Sequence, residues 1–373
     1  MKTFDVIVVG GSVSGSAVAF YCAQAGLSVA VVEEHPEPGK YGRCTAIVSK
    51  KGLDSIGADY SSSTLNKIHG ADIDAAGARL SVRTARVQAM VLDRFKFDKQ
   101  CALKAKHAGA KFLFNTRFES FAVAKSGYVV ACRDAKRKTP LSLQCKVLVG
   151  ADGANSSVAR AACFPAFRER DYAFCYEAEY SGAKVQKTDA VQVFLDSEKL
   201  PGFFGWTVPC SASVVRIGLG TTNRRGLLYS KAAFFSRQKV RALLGSKARI
   251  RREFYAMIPI RPRKKTQLEN VLLVGDAAGQ AKASTGGGIV FASRCAKIAA
   301  EEIAAFVRHG NPMHYERRWR KAFGQKLVLH RNVRSFFDLL GNRALSCLLI
   351  IGKTMGLGAF LERFGDMDEI FSA

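Results

Sequence analysis

The sequence contains no Cys-x-x-Cys pair, and its ten cysteines stand singly from Cys22 to Cys347. Its six histidines form no cluster with them, so no zinc or iron–sulfur ligand set is present and no metal is expected. A disulfide framework belongs to small secreted chains, not to one of 373 residues, and the thiols are expected to be reduced. No secretory leader is expected before the first apolar strand, because Phe4 to Val9 runs straight into a glycine turn. Near the C-terminus the longest apolar run, Ala344 to Gly352, is cut by Lys353. It falls short of the roughly 20 residues that a helix needs to cross a bilayer. The expected location is therefore cytoplasmic, at most peripheral at a membrane. Proline is scarce, 9 against 33 glycines, which suits an α/β enzyme with many tight turns. Acidic residues are scarce too: 31 against 57 Lys and Arg give a formal charge of +26. Between Val214 and Lys265 fifteen basic residues meet one acid, Glu253. Such an excess favours an anionic partner. Nucleic acid is not expected, since the sequence offers neither interleaved aromatics nor a reader module.

What is present is core-forming. At 48% hydrophobic, a chain of this length can bury two domains or one large interleaved unit. Phe4 to Val9 reads as a buried parallel strand. A glycine-rich turn, a small-residue helix from Ser14 to Ala25 capped by Gly26, and a second apolar strand Leu27 to Val32 ending in Glu33 follow. Beyond this βαβ opening, Asp93 to His107 reads as a helix stopped by Gly109, and Lys146 to Gly150 as a short strand. From Tyr172 to Thr222 polar and apolar residues alternate, the pattern of an antiparallel sheet. Asn270 to Val274 is again a buried strand, Gly287 to Val307 a long helix, and the chain after Pro312 is helical and amphipathic. The expected fold class is α/β. A Rossmann-type domain would cover 1–165 and 256–307 with a small insert near 70–90, an antiparallel-sheet substrate domain 166–255, and a helical region 308–373.

Three constellations carry chemistry. The first is Gly10-Gly11-Ser12-Val13-Ser14-Gly15, with Glu33 closing the next strand. Dinucleotide folds need a tight turn and close backbone approach here, rest the pyrophosphate on the helix N-terminus, and use the acid about 20 residues onward for the ribose hydroxyl. Ser12 stands where the second glycine belongs. The second is Gly150-Ala151-Asp152-Gly153-Ala154-Asn155-Ser156-Ser157, and the third Gly275-Asp276-Ala277-Ala278-Gly279 followed by Thr285-Gly286-Gly287-Gly288-Ile289. A helix start flanked by three glycines exposes N–H groups to a phosphate or an electron-rich ring edge, and Asp276 can hydrogen-bond a ribityl hydroxyl. Each alone reads equally as an Asx-turn or a helix cap.

Together and in this order, these residues resemble the FAD-dependent superfamily of aromatic hydroxylases and squalene epoxidases, with its glutathione-reductase-like FAD domain. Within it the chain most resembles the geranylgeranyl reductase family, the archaeal enzymes that saturate isoprenoid chains of ether lipids. Tyr41-Gly42-Arg43-Cys44-Thr45-Ala46-Ile47-Val48-Ser49 resembles the family's cysteine loop beside the flavin, and Phe204-Gly205-Trp206-Thr207-Val208-Pro209 its aromatic-x-Trp-x-x-Pro cavity motif. Gly279-Gln280-Ala281-Lys282 resembles its flavin-proximal loop, and Phe364-Gly365-Asp366-Met367-Asp368 its C-terminal tail. The resemblance implies FAD as cofactor, bound by Gly10, Ser12, Ser14, Gly15 and Glu33 at the ADP half. Arg43, Cys44, Thr45, Ile47, Arg94, Phe118, Asp152, Asp276, Gly286, Gly287, Gly288 and Ile289 are the further cofactor contacts expected. Phe204, Trp206 and Pro209 would wall the prenyl cavity, with Phe203 as a neighbour, and Cys44 is the candidate proton-relay group.

The implied activity is reduction of C=C bonds in geranylgeranyl chains of an isoprenoid lipid or its precursor. The implied partners are that lipid, an electron donor (a ferredoxin-like protein or NADPH) and an anionic membrane surface, which the polybasic segment suits. Ala46 stands in place of a glycine of the cysteine loop, Ala283 of a proline and Ala159 of an arginine. Two alternatives stay open from the sequence: a flavin monooxygenase or epoxidase of a hydrophobic substrate, and a non-catalytic prenyl-binding protein.

Overall fold

Lys2–Val9, Val29–Val32 and Pro140–Gly150 are rich in Val and Leu, and where they pair side by side they are buried on both faces. Strands of that kind belong in the middle of a parallel sheet. The computed structural model, which describes residues 1–356, 358, 360, 362 and 368, pairs Lys2–Val9 in parallel with both of the others. The path of the eight-stranded sheet runs Gln267–Leu268, Val271–Leu273, Pro140–Gly150, Lys2–Val9, Val29–Val32, Lys111–Leu113. Contacts divide the chain into two compact units, and this sheet lies in the first: Met1–Gly42, Arg94–Phe167 and Pro259–Val328.

Alternation along Lys2–Val9 sorts two cores. Val6 and Val8 pack with the helices Val13–Gln24 and Ile289–His309, whereas Ile7 and Val9 pack with Phe118, Tyr128 and Val130 of the antiparallel strands Thr116–Ala124 and Gly127–Asp134. Val13–Gln24 buries Gly15, Ser16, Ala19, Cys22 and Ala23, side chains small enough to let Ala292, Ala296 and Ala299 of the long helix come close.

The second unit comprises Arg43–Asp93, Arg168–Ile258 and Leu329–Ala373. Its seven-stranded sheet runs Arg249–Pro259, Tyr172–Ser181, Val214–Thr221, Gly205–Pro209, Ala190–Leu195, Gly70–Ala75, Ala78–Arg83, antiparallel from Tyr172–Ser181 through Ala190–Leu195 and again between the last two strands, and parallel between Ala190–Leu195 and Gly70–Ala75. Tyr176, Ala178, Tyr180, Ile217 and Leu219 form one apolar face with Phe234 and Val240 of the helices Leu227–Phe235 and Gln238–Leu244. Cys175, Glu177, Glu179, Trp206, Val208 and Arg216 alternate with them and occupy the opposite face. A small sheet of Ile47–Ser49, Ala89–Leu92 and Thr64–Ile68 completes the unit with the helix Asn342–Thr354, whose Leu345 and Leu349 pack on Ala75 and Leu80.

The observed division differs from the expected boundaries in two places. The insert near 70–90 groups with the substrate-side sheet, because Gly70–Ala75 zips residue for residue onto Ala190–Leu195. The region after 308 is divided as well: Tyr315–Trp319 packs in the first core, while the chain from Leu329 onward belongs to the second unit.

Candidate functional site

The first strand ends in a turn that excludes side chains. Gly10 has φ +98, and a Cβ there would lie 2.4 Å from the carbonyl oxygen of Ala151. The motif therefore needs glycine at this position on two counts. Glu33 closes on the turn: the Gly11 N–H donates to its Oε2 at 2.7 Å, and the His35 N–H and ring Nδ1 lie 3.0 and 2.7 Å from Oε1. Ser12 occupies the N-cap of Val13–Gln24 but does not cap it. Its hydroxyl turns to Asp98 Oδ2 at 2.6 Å, and Arg94 bridges both, donating to Ser12 Oγ at 3.2 Å and to Asp98 at 2.8 Å. The first turn of the helix thus has no side-chain cap, which is the chemistry of an anion site. Ser12, Arg94, Gly10, Gly15 and Glu33 come together here.

The third constellation closes on the first. A Cβ at Gly275 would meet Ser14 Oγ at 2.4 Å, so the Gly275–Ala277 turn lies against the start of the first helix. The Asp276 carbonyl accepts from the Gly279 N–H at 3.1 Å, while its carboxyl group makes no hydrogen bond among the described residues; burial raises its pKa, and Arg94 pulls the other way. Gly288 is the N-cap of Ile289–His309, again without a side-chain cap, and a Cβ on it would stand 3.3 Å from Asp276 Oδ1. Asp276, Gly288 and Ile289 are therefore neighbours. Asp152 Oδ2 accepts from the Ser157 and Val158 N–H groups at the start of Ser157–Ala161, whose N-cap is Ser156. Its Oδ1 is buried without a partner, and burial raises its pKa. Phe118 is a core residue, 5% exposed.

In the second unit the polar face of the large sheet is the chemical one. Trp206 lies across Val214–Thr221, and a Cβ at Gly218 would be 2.4 Å from its indole carbons, so only glycine leaves room. Phe203 and Phe204 stack at 4.3 Å, with the Trp206 ring edge-on at 6.4 and 5.7 Å. The Arg334 guanidinium sits 4.6 Å over Phe203, and burial lowers its pKa. Trp206 Nε1 donates to Glu177 Oε2 at 3.0 Å, and Thr45 Oγ1 donates to the same oxygen. Arg216, 3% exposed, donates to Glu179 at 2.9 Å, to the Thr45 carbonyl at 2.7 Å and to the Leu92 carbonyl at 2.9 Å. It thereby pins the Cys44 segment and the end of the strand Ala89–Leu92 to the sheet. Cys44 is half-buried, and its Sγ accepts from the Ala46 N–H at 3.3 Å. Ile47 begins a strand of the small sheet, Arg43 is exposed, and Pro209 ends its strand with its carbonyl held by Asn66 Nδ2 at 2.8 Å. Gly286 and Gly287 lie in the loop before the long helix, where the Gly287 N–H meets Thr285 Oγ1 at 3.4 Å. Of the C-terminal motif, residues 364–367 lie outside the described residues.

The FAD binding domain family matches residues 3–328 of the chain. The digeranylgeranylglycerophospholipid reductase 2 of Methanothermobacter thermautotrophicus is 32% identical over 365 residues, covering 93% of this chain and 91% of that protein. This chain belongs to the geranylgeranyl reductase family. The enzyme of the same name from Methanothrix thermoacetophila is 30% identical, covering 92% and 90%. Among solved structures, a geranylgeranyl bacteriochlorophyll reductase-like protein from Thermoplasma acidophilum superposes with TM-score 0.86 at 23% identity, over 94% of this chain and 91% of that one. A flavin-dependent brominase follows at 0.76 and 15% identity, over 97% and 93%. Both show a shared fold. The expected fold class and the FAD cofactor are those of this geranylgeranyl reductase family member.

Membership explains one departure and leaves two. Ala46 has φ +56, a left-handed backbone that costs any side chain and that the glycine implied by the family resemblance would adopt more easily. Ala159 and Ala283 are buried, and nothing in their surroundings explains the change. Sequence reading of this family member missed Glu177 and Arg216. Their signal was an acid and a base at alternate positions of otherwise apolar strands.

Proposed function

We propose that this protein saturates C=C bonds of geranylgeranyl chains in an isoprenoid lipid, the reaction for which its relatives are named. The carrying observation is the wall of Phe203, Phe204 and Trp206 set on the same sheet face as the Cys44 segment, in a chain that the FAD binding domain family matches over residues 3–328. An isolated trisubstituted alkene is a poor hydride acceptor, so it must be held dry and oriented. When bound, FAD supplies the electrons of the reduction. In this reading the uncapped helix start beyond Gly10, with Ser12, Ser14, Gly15 and Arg94, takes the pyrophosphate, and Glu33 takes a ribose hydroxyl. Asp276, Gly286, Gly287, Gly288 and Ile289 hold the ribityl and ring portions, with Asp152 and Phe118 in supporting positions. Arg43, Cys44, Thr45 and Ile47 face the flavin, Trp206 with Phe204 and Pro209 walls the prenyl chain, and Cys44 relays a proton.

The electron donor in this reading is a ferredoxin-like protein or NADPH. The working surface is an anionic membrane. No single described helix is long and apolar enough to cross a bilayer, yet Asn342–Thr354 turns Ile350, Ile351 and the following Met355 outward beside Arg343 and Lys353. Apolar residues interleaved with cations suit a headgroup interface. The test is anaerobic photoreduction followed by geranylgeranyl-bearing phospholipid. Flavin reoxidation with a gain of two mass units per bond is expected; reoxidation only in air would make the protein a monooxygenase, and a colourless preparation a prenyl carrier.

A further inference from the structure

Glu177 stands on the central strand Tyr172–Ser181, 1% exposed, and its two oxygens are treated unequally. Trp206 Nε1 and Thr45 Oγ1 both donate to Oε2, whereas Oε1 is buried with no hydrogen-bond partner. Two donors on one oxygen leave the other to carry the proton of the neutral acid. A buried polar atom without a partner is costly, and that cost persists where function uses the group. The charged neighbours are Arg216 on the adjacent strand, already matched by Glu179 at 2.9 Å, and Arg252 on Arg249–Pro259. Cys175 on the same strand and Cys210 after the Trp206 strand are the nearby thiols, both pushed up by burial. Burial dominates the acid as well and raises its pKa against the pull of Thr45, Arg216, Trp206 and Arg252.

We propose that Glu177 Oε1 delivers the proton that completes saturation of a prenyl C=C bond. This rests on the reading that Phe203, Phe204 and Trp206 hold the prenyl chain. Saturation of one bond adds a hydride to one carbon and a proton to the other. The hydride and its electron pair come with reduced FAD. The Glu177 O–H bond breaks as the new C–H bond forms, and the carboxylate left behind is reprotonated before the next bond by a solvent proton passed on through the Cys44 relay. Trp206 Nε1 and Thr45 Oγ1, already aimed at Oε2, stabilise that carboxylate as its charge develops.

The experiment uses the flavin-loaded full chain, wild type and Glu177→Gln, photoreduced without oxygen and mixed with vesicles of geranylgeranyl phospholipid. Glutamine keeps the shape and the acceptor for Trp206 and Thr45 but has no proton to give. Flavin content, vesicle co-sedimentation and reoxidation by oxygen are expected to match wild type, while lipid-driven reoxidation slows by about 100-fold or more. The wild-type rate is expected to be level at low pH and to fall as pH rises through the acid's titration, a limb absent from the variant. A Gln variant that keeps the wild-type rate and limb overturns the proposal. Where that variant does not fold, the wild-type profile decides: a rate that rises over the same range makes the carboxylate the working form and also overturns it. Vesicles that the wild type neither binds nor reduces would instead remove the proposed function itself.

Discussion

Replacing Arg216 with Met tests the account of the second unit most directly. Methionine keeps the packing of the aliphatic stem and removes the guanidinium, which bonds Glu179, the Thr45 carbonyl and the Leu92 carbonyl at 2.7–2.9 Å. Removing one partner of a buried ion pair costs about 3–5 kcal/mol. Here the lower end applies, because the Glu179 side chain is 14% exposed and Arg251 stands 3.7 Å from its other oxygen. The expected loss is about 3 kcal/mol, confined to the second unit. With two units a single unfolding curve is not two-state, so the reporter must be local. The chain has two tryptophans, and in a Trp319→Phe background Trp206 alone reports on the second unit. Its fluorescence midpoint in urea should fall with the slope unchanged. A loss under about 1 kcal/mol would show that Arg216 is not the pin described, since even one orphaned buried carbonyl costs that much.

Other expectations concern single positions. Gly10→Ala puts a Cβ against the Ala151 carbonyl at a φ of +98, so the protein should fold yet leave gel filtration without yellow colour; retained FAD would count against the cradle. Ala46→Gly should raise the second unit's stability by up to about 1 kcal/mol, the left-handed cost relieved less the entropy of glycine, and a clear loss would mean the Ala46 methyl is needed for packing. Cys44→Ala should keep FAD and slow alkene reduction, and unchanged turnover removes the thiol from the chemistry. Burial raises the folded pKa of Glu177 above its unfolded value. Its stabilising effect is then complete below the unfolded pKa of about 4 and is lost as pH rises through the folded value. Glu177→Gln should flatten that decline in the Trp206 signal, and an unaltered slope would contradict the assignment.

The first unit was legible because its signals are local. Phe4 to Val9, the glycine turn, the small-residue helix and Glu33 follow one another within a few turns of chain, and the structure places them as a strand, a helix from Val13 and a strand ending at Val32. The second unit was legible only as a sheet. Along Tyr172–Ser181, Glu177 and Glu179 alternate with Tyr176, Ala178 and Tyr180, the pattern of a strand with one wet face. That face is dry because the Cys44 segment, with Thr45 on Glu177 and its carbonyl held by Arg216, covers it, and that segment arrives from far away in sequence. Gly70–Ala75 hid for the same reason: its alternation was visible, its partner was not.

That parallel seam also sets the order in which the protein can be made. Gly70–Ala75 and its hairpin partner Ala78–Arg83 leave the ribosome long before Ala190–Leu195, and no strand nearer in sequence is theirs to join on that side. Until then Ile73 and Leu80 have no core to enter, since Leu345 and Leu349 are translated later still. The first unit waits as well, because Lys2–Val9 pairs with Pro140–Gly150. Non-local pairing of this kind is slow and leaves strand edges open to other chains. Nascent protein truncated before residue 190 should therefore depend on chaperones far more than the finished enzyme does.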